Sequence, residues 1–190
     1  MRGFGGSGGT DDCGLHQPDD VVSVVADLRA RRPDLASVGL LGISQGGQVA
    51  LLSAVRGAAV EAVAAWAPVT DVARWRATTA HPAIPGYLDD RCADGRLADR
   101  SPLATAAGLR PPVLLVHGDA DTRVPTEQSQ LLHAAVRSAG GWCELALLPG
   151  VGHQRGPDGN RVAMVATSRF FQAHLTRADS PGGGEPDTVC

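Results

Sequence analysis

No run in this 190-residue chain approaches the roughly 18 consecutive apolar residues needed to span a bilayer, and the N-terminus has no apolar core of the signal-peptide kind. The sequence therefore predicts a cytoplasmic protein with no membrane contact. Aromatic residues are scarce, at 4%, against 43% hydrophobic residues overall, which suits one soluble domain with a largely aliphatic core. Neither sign of charge dominates: 17 Lys+Arg are interspersed with 20 Asp+Glu for a net charge of -3, which argues against a nucleic-acid partner. The one basic cluster, Arg29, Arg31 and Arg32, falls at a predicted helix C-terminus, where cations suit the dipole. Cysteines are few and scattered, and Cys13, Cys92, Cys143 and Cys190 show no C-x-x-C spacing. They predict neither a zinc site nor a disulfide framework. Cys143 reads as a small buried hydrophobe and Cys190 as a free thiol. The glycine-rich opening, Arg2 to Gly9, lacks the Gly-Lys-Ser/Thr end of a phosphate loop and the preceding strand of a dinucleotide loop, so no cofactor is expected there.

What the chain does contain is Gly42-Ile43-Ser44-Gln45-Gly46-Gly47, set between the apolar run Val38 to Leu41 and the helix-forming run that follows Gln45. A strand that turns at once into a helix strains the turning residue and needs nearly bare neighbours, a need that Gly42 and Gly46 meet. In such an elbow the Ser44 hydroxyl stands clear as a nucleophile, and the Gln45 backbone N–H faces the oxyanion of an acyl-transfer intermediate. Gly47 lets the helix pack closely.

Around the elbow the pattern alternates. Val21, Val24, Val25 and Leu28 predict an amphipathic helix from Pro18 to Arg32. Strands are predicted over Val38–Leu41, Val60–Trp66, Pro112–His117 and Trp142–Leu148, with helices over Gln45–Val55 and from Pro125 to Gly140. A last helix, capped by Asn160, should gather Met164, Val165, Ser168, Phe171 and Leu175 on one side. The result is an α/β domain with a mostly parallel sheet and helices on both faces. Residues 68–111, poorly periodic and rich in proline, read as an insertion over the site, and residues 176–190 as a disordered tail.

Three successive strand ends then offer Ser44, an aspartate from Gly118-Asp119-Ala120-Asp121, and His153. Parallel strands bring all three to one edge, and their order suits a Ser-His-Asp arrangement on an open α/β sheet. Asp119 and Asp121 are not separated by this argument. No metal ligand set or organic cofactor is called for.

Several separated motifs resemble the catalytic domain of the prolyl oligopeptidase family, within the α/β-hydrolase superfamily. They are the Arg2-Gly3 loop, Gly42 to Gly47, Ala67-Pro68-Val69-Thr70-Asp71, Ser101-Pro102, Val116 to Pro125, and Gly152-His153. The resemblance spans residues 1–175 and implies a serine-type peptidase working through an acyl-enzyme. It makes Asp121 the acid and Arg123 a candidate for touching a peptide or small ester substrate; His16, His81, His117, His133 and His174 match no functional position. Two departures from the family pattern are expected: a domain without a preceding β-propeller, and one without the N-terminal strands of the hydrolase fold and the loop that supplies a second oxyanion donor. The alternatives are a carboxylesterase or dienelactone-hydrolase-like esterase, and an inactive interaction fragment. The strand at Val38–Leu41 is expected to form an exposed apolar edge prone to self-association.

Overall fold

The structure, a computed structural model, describes residues 2–175. Its sheet has four parallel strands in the order β1 (Gly39–Ile43), β2 (Ala62–Trp66), β3 (Val113–Gly118) and β4 (Cys143–Leu148). The two inner strands, Ala-Val-Ala-Ala-Trp and Val-Leu-Leu-Val-His-Gly, are buried at every position, as continuous apolar runs must be when both faces of a parallel sheet are covered. Val60 and Glu61, expected within β2, precede it. The Glu61 carboxylate instead accepts hydrogen bonds from the Val38 N–H and the Arg29 guanidinium, which ties the starts of β1 and β2 to the helix before them.

That helix, α1 (Gln17–Arg31), opens on Pro18 with Asp19 and Asp20 in its first turn and ends on basic residues. It lies over α2 (Gln45–Val55), whose residues Gly47 to Ala54 are all buried because the helix is enclosed between α1 and the sheet. With α5 (Glu127–Ser138) they cover one face, where Leu51, Val63, Leu115, Leu132 and Val136 meet. The other face takes α6 (Gly156–Leu175), which packs Ala163 and Phe170 on Ala62, Ala64, Leu114 and Val116.

Two expectations for α6 are corrected. It starts at Gly156, four residues before Asn160, whose carboxamide accepts a hydrogen bond from Arg155 and whose position lies inside the helix. Its buried side is Gly159, Ala163, Thr167 and Phe170, while Met164 and Val165 are about half exposed. The deciding contact is polar: the Trp66 indole N–H donates to Thr167 Oγ1, which pulls Thr167 inward and turns Met164 out.

Residues 68–111 hold two short helices, α3 (Val72–Thr78) and α4 (Ala83–Arg91), followed by 3-10 turns at Ala98–Arg100 and Pro102–Gly108. Asp71 caps α3 by accepting from the Arg74 N–H. The excursion owns a core in which Val69, Val72, Trp75, Leu88 and Cys92 pack with Cys13 and Val124. At the other end of the sheet, β1 is an edge among the described residues, with Leu41 and Ile43 exposed. The expected tail and Cys190 lie outside the described residues.

Candidate active site

Ser44 sits between β1 and α2 with φ of 56° and ψ of -122°, a backbone conformation disfavoured for any residue with a side chain. Two contacts hold it there. Its N–H donates to the Trp66 carbonyl at 2.7 Å, and its carbonyl accepts from the Gly47 and Gln48 N–H groups, so the strained residue is both the end of the strand and the start of the helix. Gly42 is required, since a Cβ there would lie 2.1 Å from the Gly46 carbonyl oxygen. Gly47 is nearly as tight, with Pro68 and Ala65 3.0 and 3.3 Å away. The crowding expected at Gly46 is not found: a Cβ there meets nothing within 4 Å among the described residues.

The acid-bearing turn follows β3. Its first residue, Gly118, passes so close to the neighbouring loop that a Cβ would fall 2.0 Å from the Val151 carbonyl oxygen. The two loops are laced together, with Ala120 N–H donating to Val151, Asp119 N–H to Leu148, and Gly150 N–H to the Asp119 carboxylate. Asp119 is thereby occupied in joining the loops, and Asp121 is the aspartate turned toward His153. One Asp121 oxygen accepts the Arg123 and Val124 N–H groups at 2.9 Å each; the other lies 2.7 Å from His153 Nδ1. His153 Nε2 is in turn 3.1 Å from Ser44 Oγ.

These distances set the tautomer. Ionised Asp121 only accepts, so His153 Nδ1 carries the hydrogen and Nε2 is free to accept from the Ser44 hydroxyl. Burial pushes the Asp121 carboxyl up, but hydrogen bonding from His117, His153 and the Val124 N–H outweighs it and holds the group well below the usual carboxylate range. His117 itself is fully buried; its Nε2–H is shared between the Val124 carbonyl at 2.8 Å and the Asp121 carboxylate at 3.4 Å, and its Nδ1 accepts from the Ser129 hydroxyl. Both ring nitrogens being occupied, it supports the turn from beneath. Behind His153, the Arg155 guanidinium donates to the His153 carbonyl and lies 5.3 Å from the centre of the Trp66 ring.

Gln45 opens α2, so its N–H belongs to the first turn, where no helical carbonyl is in reach. Its side chain donates to Asp11, a residue that no sequence signal singled out from Asp12. Asp11 also accepts from the Gln17 side chain, the Tyr87 hydroxyl and the Cys13 N–H, joining the elbow to α1 and to the excursion. Arg123 is half-buried, and its guanidinium lies 3.3 Å from His81 Nε2, a histidine with no assigned role in the sequence. The Arg123 carbonyl accepts from the Trp75 indole and the Thr79 hydroxyl, so α3 is braced against the turn that carries Asp121. Among the described residues no group of three or more His, Cys, Asp or Glu side chains is placed to hold a metal ion. No helix among them is long and apolar enough to cross a membrane.

The "Uncharacterized peptidase YuxL" of Bacillus subtilis (strain 168) is 37% identical over 84 residues, covering 42% of this chain and 13% of its own length. A carboxymethylenebutenolidase-like protein of Methylorubrum extorquens is 30% identical over 122 residues, covering 64% of this chain and 35% of its own. Among solved structures, a puromycin hydrolase superposes with a TM-score of 0.71 at 28% identity over 82% of this chain and 25% of that one. The sheet and its helices are thus those of an α/β-hydrolase fold, and the chain spans well under half the length of each of these three proteins. The pattern of the prolyl oligopeptidase family matches residues 7–178, nearly the whole chain, which therefore belongs to the prolyl oligopeptidase family.

Proposed function

We propose that this chain is a serine hydrolase that cleaves peptide bonds through an acyl-enzyme intermediate. The observation that carries the reading is the unbroken series from Ser44 Oγ to His153 Nε2 and from His153 Nδ1 to Asp121, with the ring in the one tautomer that can take the serine proton. In the proposed route Ser44 Oγ attacks the carbonyl carbon while its proton passes to His153 Nε2. The oxyanion faces the Gln45 N–H, and the charge arising on the imidazole is met by Asp121. His153 then gives its proton to the leaving amine, and water, deprotonated by the same nitrogen, releases the acyl group from Ser44. Arg123 is proposed to hold a substrate carbonyl, for which its guanidinium would leave His81.

Turnover is expected to fall by up to about 10⁶-fold in Ser44→Ala, as when the nucleophile is removed from a cooperating set. A fluorophosphonate probe should label the wild-type chain and not that variant. Equal labelling of both would overturn the assignment, and a folded wild-type chain that takes no label would instead favour a silent interaction fragment.

An esterase reading is supported by the carboxymethylenebutenolidase-like relative, since it matches more of this chain than the peptidase relative does. The same three side chains serve either bond. Parallel assays with a proline-containing peptide amide and a short p-nitrophenyl ester separate the two, and ester turnover without amide turnover would replace the peptidase reading.

A further inference from the structure

Outside the proposed site, the described residues hold a pair of buried thiols, one from the loop before α1 and one from within the excursion. Cys13 lies in the loop before α1 and is fully buried; Cys92 ends α4 and is 7% exposed. Roughly 80 residues apart in sequence, they share one core with Val72, Trp75 and Leu88. Their backbones are brought together by a single side chain. Arg100, itself 1% exposed, donates from Nε to the Asp12 carbonyl at 2.9 Å and from Nη2 to the Arg91 carbonyl at 3.3 Å. These are the peptide groups directly before Cys13 and Cys92, held on neighbouring nitrogens of one rigid guanidinium. Gln48 adds a second tie, bonding the Cys13 and Arg100 carbonyls together.

We propose that Cys13 and Cys92 are a redox-active pair that closes into a disulfide on oxidation by a small peroxide, clamping α4 to the loop that anchors the elbow. The two side chains lie in one buried core, with the peptide group before each held by the same guanidinium. Each thiol is the largest influence on the other, raising Cys13 and lowering Cys92, whose thiolate is further favoured by the nearby Arg100 charge. Cys92 is also the more exposed of the two. It is thus the attacking sulfur: its thiolate attacks one oxygen of hydrogen peroxide, the O–O bond breaks, a sulfenic acid forms, and the departing hydroxide takes up the proton that the Cys92 thiol had released and leaves as water. The Cys13 sulfur then attacks the Cys92 sulfur, the S–O bond breaks, and the Cys13 proton leaves with the departing hydroxide as water. One peroxide is reduced to two waters and two thiols become one disulfide. The clamp matters to the elbow because Asp11, two residues before Cys13, accepts from Gln45, and Tyr87, on the helix that Cys92 ends, donates to the same carboxylate. The bond would fix both ends of that link.

The test is to treat the folded, full-length chain with a small excess of hydrogen peroxide, alkylate the remaining thiols, and digest with trypsin without reduction. Cleavage after Arg2, Arg29, Arg91 and Arg96 isolates the two cysteines in the peptides 3–29 and 92–96. These should appear joined, separate on reduction, and be absent as a joined species from Cys92→Ser, while Cys143 stays alkylated. The joined form should persist in Cys143→Ser and unfold with a midpoint roughly 5–15 °C above the reduced form, as closure of a long loop predicts. Cys13 and Cys92 each alkylated after peroxide, each carried separately to a sulfinic acid, or joined with no rise in the midpoint would overturn the proposal.

Discussion

On one face of the sheet, α1, α2 and α5 bury Leu51, Leu115, Leu132 and Val136 completely; on the other, α6 lies across β2 and β3, and Leu41 and Ile43 of β1 keep 42% and 43% of their surface exposed. The two faces are served by the same strands, and β1 shows the contrast within five residues. Leu40 points into the three-helix face, whereas Gly39, Leu41 and Ile43 point toward α6. Only the first of these meets the helix, and it does so as glycine, since a Cβ at position 39 would stand 2.8 Å from the Phe171 ring. A strand of wholly apolar residues is thus packed on one side and open on the other. Its hydrophobicity reports what a two-sided position needs rather than what covers it among the described residues.

The contrast has measurable consequences, the largest on the closed face. Leu51→Ala should lower unfolding free energy by about 2–5 kcal/mol, the cost of a cavity where the surroundings cannot collapse. Urea unfolding at neutral pH measures it, and a loss below about 1 kcal/mol would mean that the three-helix face is no tighter than the other. A smaller effect comes from the strand ends, which belong to neither face. Because the Asp121 carboxyl is held below its ordinary value, it stabilises the fold above the unfolded-state pKa of about 4 and loses that contribution as the pH falls toward the folded-state value. The stability gap between wild type and Asp121→Asn should accordingly narrow as pH is lowered from about 6 to about 2. A gap that stays constant in denaturation curves across that range would show that the charge of Asp121 is not what stabilises the turn. The smallest effect is expected on the open face, where Leu41→Thr with Ile43→Thr should change stability by no more than about 0.5 kcal/mol. We propose that this edge self-associates. Sedimentation of the double variant should then show less oligomer than the wild type, and unchanged sedimentation would remove β1 as the contact.

Sequence reading was most successful where a residue's local pattern and its final surroundings agree. The strands and α2 are predominantly apolar runs set off by glycine and proline, and the elbow announces itself because Gly42 cannot carry a side chain. Legibility failed where a long-range polar contact decides. In α6 the apolar residues Val162, Ala163, Met164, Val165 and Ala166 are consecutive, so their periodicity has no definite phase until Trp66 bonds Thr167. The separation of Asp119 from Asp121 needed the family resemblance, for both follow β3 and only the lacing to Gly150 occupies the first. Asp11, Arg100 and the thiol pair were missed for the same reason: their partners lie tens of residues away, in segments too short or too irregular to be phased.

The lacing of the β3 and β4 loops also bears on motion. Asp121 and His153 ride on backbones joined by three hydrogen bonds and a contact that admits no side chain at Gly118, so thermal fluctuation carries them together as one body. Ser44 rides on a different body, fixed to β2 through Trp66 and continuous with α2. Breathing of the sheet between β2 and β3 therefore leaves the Asp–His distance nearly constant and falls on the 3.1 Å gap from His153 to Ser44, making that gap the coordinate along which the site gains or loses its alignment.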